Sequence, residues 1–355
     1  MRLRSVVSEA WRDLTSGAAR ALLWALCLIG LAGLLTALDL SIVNGLQRDA
    51  AAYQAGAANL RLSLAQGAVD GAACDRLALS ASVAAAGAIR PGPAIRLSAA
   101  PDTPVGSFAV TPGFGPVLGL SLPLKAGVWV DSGLAESMGL AVGDRLDSDQ
   151  GVIEIVGVFA WPSDGRDARL SFALLLPETA LEMYDECWIR AWPVIDDNDI
   201  LLRSVALVDA GSNRPPMIDQ ANKSLGSKMD AHALFSSRPT RWAALVAGLV
   251  GLGLGFASIR RRRLEQASAL HCGQRRVDQL LSLSLQTWAW ALPALLVVEV
   301  ASLVLIRVWA MPDPDAVWLT VAGVPLWAGL GAWAGGLIAA GLTREKHLFR
   351  YFKTR

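Results

Sequence analysis

The chain has 355 residues, of which 53% are hydrophobic and only 18% charged, with Lys+Arg 32 against Asp+Glu 31. So apolar a composition excludes an ordinary soluble protein of two or three domains and places a large part of the chain in lipid. A nucleic-acid partner is not expected, because the basic residues gather at a few short places rather than over one face. Four cysteines form no CxxC pair and three histidines (His232, His271, His347) lie far apart, so no metal set can be read from spacing.

Leu3, Val6, Val7, Ala10, Trp11 and Leu14 recur at helical spacing, while Arg4, Ser8, Glu9, Arg12 and Asp13 fill the other face. This predicts an amphipathic helix on the membrane surface within residues 1–20. The chain is then uncharged and apolar from Ala21 to Leu38, and to Val43 if Asp39 lies near the far interface. Residues 21–43 would thus cross about 30 Å of hydrocarbon as the first span. The competing reading is a cleaved secretory signal, but a signal has a shorter apolar core and is not usually preceded by an amphipathic helix.

Between residues 44 and 239 the pattern changes to short alternating runs. Leu60-Arg-Leu-Ser-Leu64, Ile95-Arg-Leu-Ser98 and Val152-Ile-Glu-Ile-Val156 read as half-buried strands. Helices are expected from Ala72 to Ala86, Gly133 to Met138, Pro177 to Glu186 and Met217 to Met229, and loops from Pro91 to Gly119, where glycine and proline concentrate. Together these predict one mixed α+β domain. Cys74 and Cys187 both fall in it, and are either bonded to each other or two separate buried thiols.

Three further spans follow at residues 240–259, 280–307 and 317–342, with a short acidic turn, 308–316, between the last two. Four spans put both termini on one side. The positive-inside rule makes that side cytoplasmic, because Arg2, Arg4, Arg12 and Arg20, the segment 260–277 with Arg260 to Arg263, Arg275 and Arg276, and the tail 343–355 with Arg344, Lys346, Arg350, Lys353 and Arg355 are all basic. The domain at 44–239 is therefore extracytoplasmic.

Small residues recur every four positions in the second span (Ala247, Gly251, Gly255) and the fourth (Ala328, Ala332, Gly336, Ala340), beside Gly331 and Gly335. Each stripe would let another helix approach closely, in the same chain or in a partner. Pro293 is expected to kink the third span. Glu299 is an acid within that span; it is either paired with Arg307 or snorkelled, or else meets a substrate or partner.

Two stretches carry a family likeness. Residues 128–160, VWVDSGLAESMGLAVGDRLDSDQGVIEIVGVFA, resemble the outer-domain pattern of the MacB/FtsX-type permeases, the type VII ABC transporters. Residues 261–281, RRRLEQASALHCGQRRVDQLL, resemble the same family's cytoplasmic coupling helix, with His271-Cys272-Gly273 where Leu-Gly is usual. The order of one span, outer domain and three spans is also the family's.

The resemblance implies a cell-membrane permease subunit that moves its outer domain when a separate ATPase dimer hydrolyses ATP. The docking residues would be Arg263, Leu264, Glu265, Gln266, Ala267, Leu270 and Gly273. Such a subunit would export or extract a peptide, lipoprotein or antibiotic; the alternative is an FtsX-like regulator that activates an extracellular cell-wall hydrolase. Expected partners are that ATPase, a second permease copy or homologue, membrane lipid and an extracellular protein. The chain carries no GxxxxGK[ST], so ATP and Mg would be held by the partner, and this chain is expected to bind no cofactor and catalyse no reaction. No His, Ser or Cys stands at spacing usable for an acid-base or nucleophilic set.

Overall fold

The computed structural model describes residues 3–122, 126–207, 215–345 and 348. The basic tail positions Lys346, Arg350, Lys353 and Arg355 lie outside the described residues, as does Arg2. Two compact units form: Met1–Arg48 with His232–Arg355, and Asp49–Ala231. The second unit is narrower than the expected 44–239, because the first apolar helix does not end at Val43 but runs on to Ala55.

In chain order, α1 (Leu3–Thr15) is the amphipathic helix and α2 (Ala21–Ala55) the first long apolar one. The sheet unit opens with β1 (Leu60–Asp70), and Asp70 caps α3 (Gly71–Arg76) by accepting the Ala73 N–H. Then come β2 (Val83–Pro91), β3 (Ile95–Leu97), β4 (Ala100–Val105), β5 (Ser107–Val110) and α4 (Phe114–Val117). In β6 (Val128–Asp131), the last residue caps α5 (Ser132–Met138), which Gly139 ends at φ 64° in the left-handed region. β7 (Arg145–Ser148), β8 (Gly151–Phe159), β9 (Leu174–Pro177), β10 (Met183–Ala191), α6 (Asp196–Ser204) and β11 (Met217–Gln220) complete it. Last are α7 (Ala231–Ser236), α8 (Ala243–Arg260), α9 (Arg263–His271), α10 (Arg276–Val308), α11 (Pro314–Val321) and α12 (Gly323–Gly341).

Among the described residues, eleven strands pair in the order β11-β1-β10-β2-β5-β9-β6-β8-β7-β3-β4. β5 pairs with β9 and β6 with β8 in parallel, and the remaining pairs are antiparallel. Trp129, Phe114, Phe159 and Trp188 fill one core cluster, and Cys74, Tyr184 and Cys187 lie in another. Cys74 on α3 and Cys187 on β10 are disulfide-bonded, 113 positions apart in sequence.

Several sequence expectations for this unit are corrected. The helix read over 72–86 stops at Arg76, passes through a short turn and becomes β2. That alanine-rich strand is central and almost wholly buried between β10 and β5, so tertiary context overrides alanine's helix preference. The helix read over 177–186 is the end of β9 and the start of β10, a strand hydrogen-bonded on both sides. The helix read over 217–229 is β11 and a loop, held where Gln220 Nε2 donates to the Ala58 and Gly226 carbonyls at 2.8 Å. The expected loops from Pro91 to Gly119 hold three strands and α4. Glycine there serves close packing: a Cβ on Gly113 would stand 2.4 Å from the Ala86 carbonyl oxygen.

Among the described residues, four helical stretches are long and apolar enough to cross a membrane: Ala21–Ala55, Pro239–Arg260, Arg276–Val308 and Pro314–Gly341. α10 continues through Pro293. The two small-residue stripes face each other within the chain. A Cβ on Gly255 would stand 1.8 Å from the Ala332 carbonyl oxygen, and one on Gly331 or Gly335 would stand 2.0 Å from the carbonyl oxygens of Gly248 and Leu252. The two backbones therefore touch through glycine, as dispersion and Cα–H contacts between apolar helices require. Gly255→Val is expected to force α8 and α12 apart at an overpacking cost of about 1–3 kcal/mol or more. Thermal unfolding in detergent should show a lower midpoint, while Gly253→Val, which meets nothing within 4 Å, should leave it unchanged.

Candidate functional site

Arg262 stands in the short break between α8 and α9, and its side chain is 13% exposed. Burying a guanidinium is costly unless its donors are met. Here Nη2 donates to Asp13 Oδ2 of α1 at 2.8 Å, Nη1 to Gln286 Oε1 of α10 at 2.9 Å, and Nε to Glu265 Oε2 of α9 at 2.7 Å. Burial alone would lower its pKa, but the bonds to Asp13 and Glu265 more than reverse that, so the charge is secure. Gln286 Nε2 closes a ring by donating to the same Asp13 oxygen at 2.9 Å. One side chain thus ties together α1, α9 and the base of α10.

Around it the contacts continue. Gln279 donates to the carbonyl and side-chain oxygens of Gln266 at 3.1 Å each, and Gln274 reaches Glu9 at 3.3 and 3.4 Å. A cavity of about 180 Å³ opens among these groups. Val6 and Ala10 of α1 are buried, whereas Val7 and Trp11 are 48% and 66% exposed, so the single apolar face read from the sequence is divided in two.

The expected docking residues are placed as follows. All lie on α9 or its end, and Gly273, at φ 89°, breaks the chain before α10. Gln266, Ala267 and Leu270 turn inward and are buried in their own unit. Leu264 and Arg263 are half-buried. The outward face consists of Glu265, Ser268 and His271 with Cys272 beyond them, all exposed. The exposed face of α9 is thus polar, and the apolar Ala267 and Leu270 are not part of it.

Glu299 lies in α10 with Trp318 of α11, whose Nε1 donates to its Oε2 at 2.9 Å; Arg307 is exposed and does not meet it. Sequence reasoning missed a second buried pair, Arg238 Nε to Asp39 Oδ1 at 3.1 Å, with Asp39 only 2% exposed. It also missed the convergence on Arg262. The available signals were a lone acid ending the first apolar run, and Gln279, Ser282 and Gln286 recurring on one face of the third. Among the described residues, no group of three or more His, Cys, Asp or Glu could hold a metal ion.

No protein-family model matches the chain, and no curated protein does. Among solved structures, it is similar over 46% of its length to the periplasmic region of MacB from Actinobacillus actinomycetemcomitans, at 11% identity, TM-score 0.34 and 90% coverage of that chain. It is similar over 50% to a domain of a putative permease protein from Porphyromonas gingivalis, at 12% identity, TM-score 0.31 and 95% coverage. A third neighbour is the extracellular domain of the noncanonic ABC-type transporter YknZ from Gram-positive bacteria, matched over 45% of this chain and 99% of its own, at 10% identity and TM-score 0.31.

The Arg262 arrangement has a direct consequence for α1. Hydrogen bonds to charged groups are worth about 1.5–3 kcal/mol each, so Arg262→Met should release α1 and raise trypsin cleavage after Arg12 and Arg20 by about tenfold or more through local opening. An unchanged cleavage rate would mean that lipid alone holds α1.

Proposed function

We propose that this chain is the permease subunit of an ABC transporter of the MacB/FtsX type, and that α9 is the helix on which a separate ATPase subunit docks. The observation that carries the reading is α9 itself. It is a short, well-packed helix between the second and third apolar helices, anchored by Gln266, Ala267 and Leu270 and offering Glu265, Ser268 and His271 outward. Merely turning a chain back into a bilayer does not require a helix locked by a buried guanidinium. The sequence likeness over residues 128–160 and 261–281 and the absence of a P-loop in the sequence support the same reading.

In this reading the basic segments at the N-terminus, at 260–277 and in the tail are cytoplasmic and the sheet unit is extracytoplasmic, in the cell membrane. That placement suits the Cys74–Cys187 disulfide, since oxidising compartments are where such bonds persist. ATP-driven closure of a motor dimer would push on α9. The Arg262 linkage would pass that push to α1 and α10, and the extracytoplasmic unit would move to export or extract a peptide, lipoprotein or antibiotic. A second copy or a homologous permease completes the assembly.

Two measurements test this. Cys272 is exposed at the end of α9, so a membrane-impermeant thiol reagent should label it in inside-out vesicles and not in intact cells. Affinity purification of the full chain should bring down a protein bearing a Walker-type P-loop, and His271→Glu together with Ser268→Glu should abolish that capture. Labelling from outside intact cells, or capture indifferent to both substitutions, contradicts the reading.

A further inference from the structure

The stretch that leads into α8 lies uncovered in the helical unit. That unit resumes at His232, so nearly all of α7 goes with the apolar helices and not with the sheet. No residue of α7 is buried, and its large apolar side chains Leu234 and Phe235 are exposed side by side. Ser236, two positions after Leu234, falls on the other side of the helix. Trp242 follows, 57% exposed, and then the exposed Leu245 and Leu249 of α8. From His232 to Trp242 the chain carries His232, Arg238 and Arg241 and no acid.

The depth of this stretch is set by the buried pair of Asp39 and Arg238. Arg238 Nε donates to Asp39 Oδ1 of α2 at 3.1 Å, its Nη1 donates to the Phe235 carbonyl at 3.0 Å, and its guanidinium lies 3.9 Å from the centre of the Phe235 ring. Phe235 therefore stands at the level of Asp39. Eighteen residues separate Asp39 from Ala21, where the uncharged run begins, a rise of about 27 Å against a hydrocarbon layer of about 30 Å. Along α8, Ala243 stands seventeen residues from Arg260, a rise of about 26 Å. Both routes put Phe235 and Trp242 at the rim of the hydrocarbon, where aromatic rings settle and where lipid covers an exposed apolar side chain. Beside them the exposed Arg241 stacks its guanidinium 5.2 Å from the Trp242 ring and donates to the Ser236 carbonyl at a long 3.4 Å. A guanidinium has five N–H donors, so it can take a phosphate as well.

We propose that residues 232–242 form an interfacial binding site for an anionic phospholipid, with Leu234, Phe235 and Trp242 among its upper acyl carbons and Arg241 on its phosphate. Asp39 answers the charge of Arg238, which leaves Arg241 as the cation this stretch offers. The nearest acid in sequence, Asp230, precedes α7, whereas Arg241 follows it. A basic group at that level favours an anionic headgroup over a zwitterionic one, which brings its own ammonium. The site requires that the four apolar helices cross the membrane, and does not depend on α9 as a docking helix. In the orientation proposed above, it lies in the outer leaflet.

Two measurements on the full chain test the site. In nanodiscs, with Cys27→Ser and Cys272→Ser and the Cys74–Cys187 bond intact, a spin label on Leu234→Cys should collide more with dissolved oxygen than with a water-soluble nickel chelate. A label on Ser236→Cys should do the reverse. In native mass spectrometry of the unlabelled chain, one bound phosphatidylglycerol should lose about fivefold in affinity on Arg241→Gln and keep its affinity on Arg241→Lys, while phosphatidylcholine binding stays the same in both. An unchanged thermal midpoint for Arg241→Gln reports an intact fold. A label at 234 as open to nickel as the one at 236, phosphatidylglycerol binding indifferent to Arg241→Gln, or an equal loss of phosphatidylcholine would each overturn the site. Neither measurement involves α9, so failure to capture a P-loop protein leaves the lipid site standing, and failure of the lipid site leaves the docking reading standing.

Discussion

A single buried guanidinium organises the base of the helical unit. Arg262 is mostly removed from solvent, and an arginine so placed is tolerable only when every direction of its fork finds an acceptor. Three different elements supply one each: Asp13 from α1, Glu265 from α9 and Gln286 from α10. Removing any of them leaves charge or a polar group stranded, so the three move as a block or not at all. An otherwise ordinary reversal of the chain between two apolar helices thereby becomes a stiff junction.

The glycine seam between α8 and α12 extends the same principle by other means. In an apolar surrounding, helices gain nothing from burying more hydrocarbon, so close backbone approach supplies the attraction. Gly251 and Gly255 on one helix and Gly331 and Gly335 on the other bring each carbonyl ridge against the opposite backbone. Arg262 follows α8 directly, so the polar junction sits at the end of the tightest apolar contact. The buried Asp39–Arg238 pair lies between the end of the first apolar run and the chain entering α8. Charge thus fixes this unit where its apolar segments begin and end, and glycine fixes it between.

What the sequence showed depended on whether a signal was local. Four apolar runs and the helical spacing of α1 are patterns within some twenty residues, and all appear as helices, although the apolar face of α1 is split between buried Val6 and Ala10 and exposed Val7 and Trp11. The sheet was legible only at its alternating strands; β2 and β10 were misread because Val83-Ala-Ala-Ala and Glu182-Met-Tyr-Asp carry helix-favouring composition and become strands only when neighbours on both sides claim their hydrogen bonds. The candidate site was half legible. Residues 263–271 do form a helix after the second apolar segment, but spacing did not show that Ala267 and Leu270 turn inward. The polar junction was not legible, because its partners Asp13 and Gln286 lie 249 and 273 positions from the residues they meet. Nor could spacing tell whether the small-residue stripes met each other or another chain.

The central claim is that α1 and α9 form one rigid block through Arg262. Spin labels on Cys272 and on Ser8→Cys, in a chain with Cys27→Ser and the Cys74–Cys187 bond intact, would measure this by pulsed electron–electron double resonance in nanodiscs. A single narrow distance distribution that broadens on Arg262→Met is the result this account requires. A distribution already broad in the unaltered junction would mean that the two helices move independently, and would contradict it.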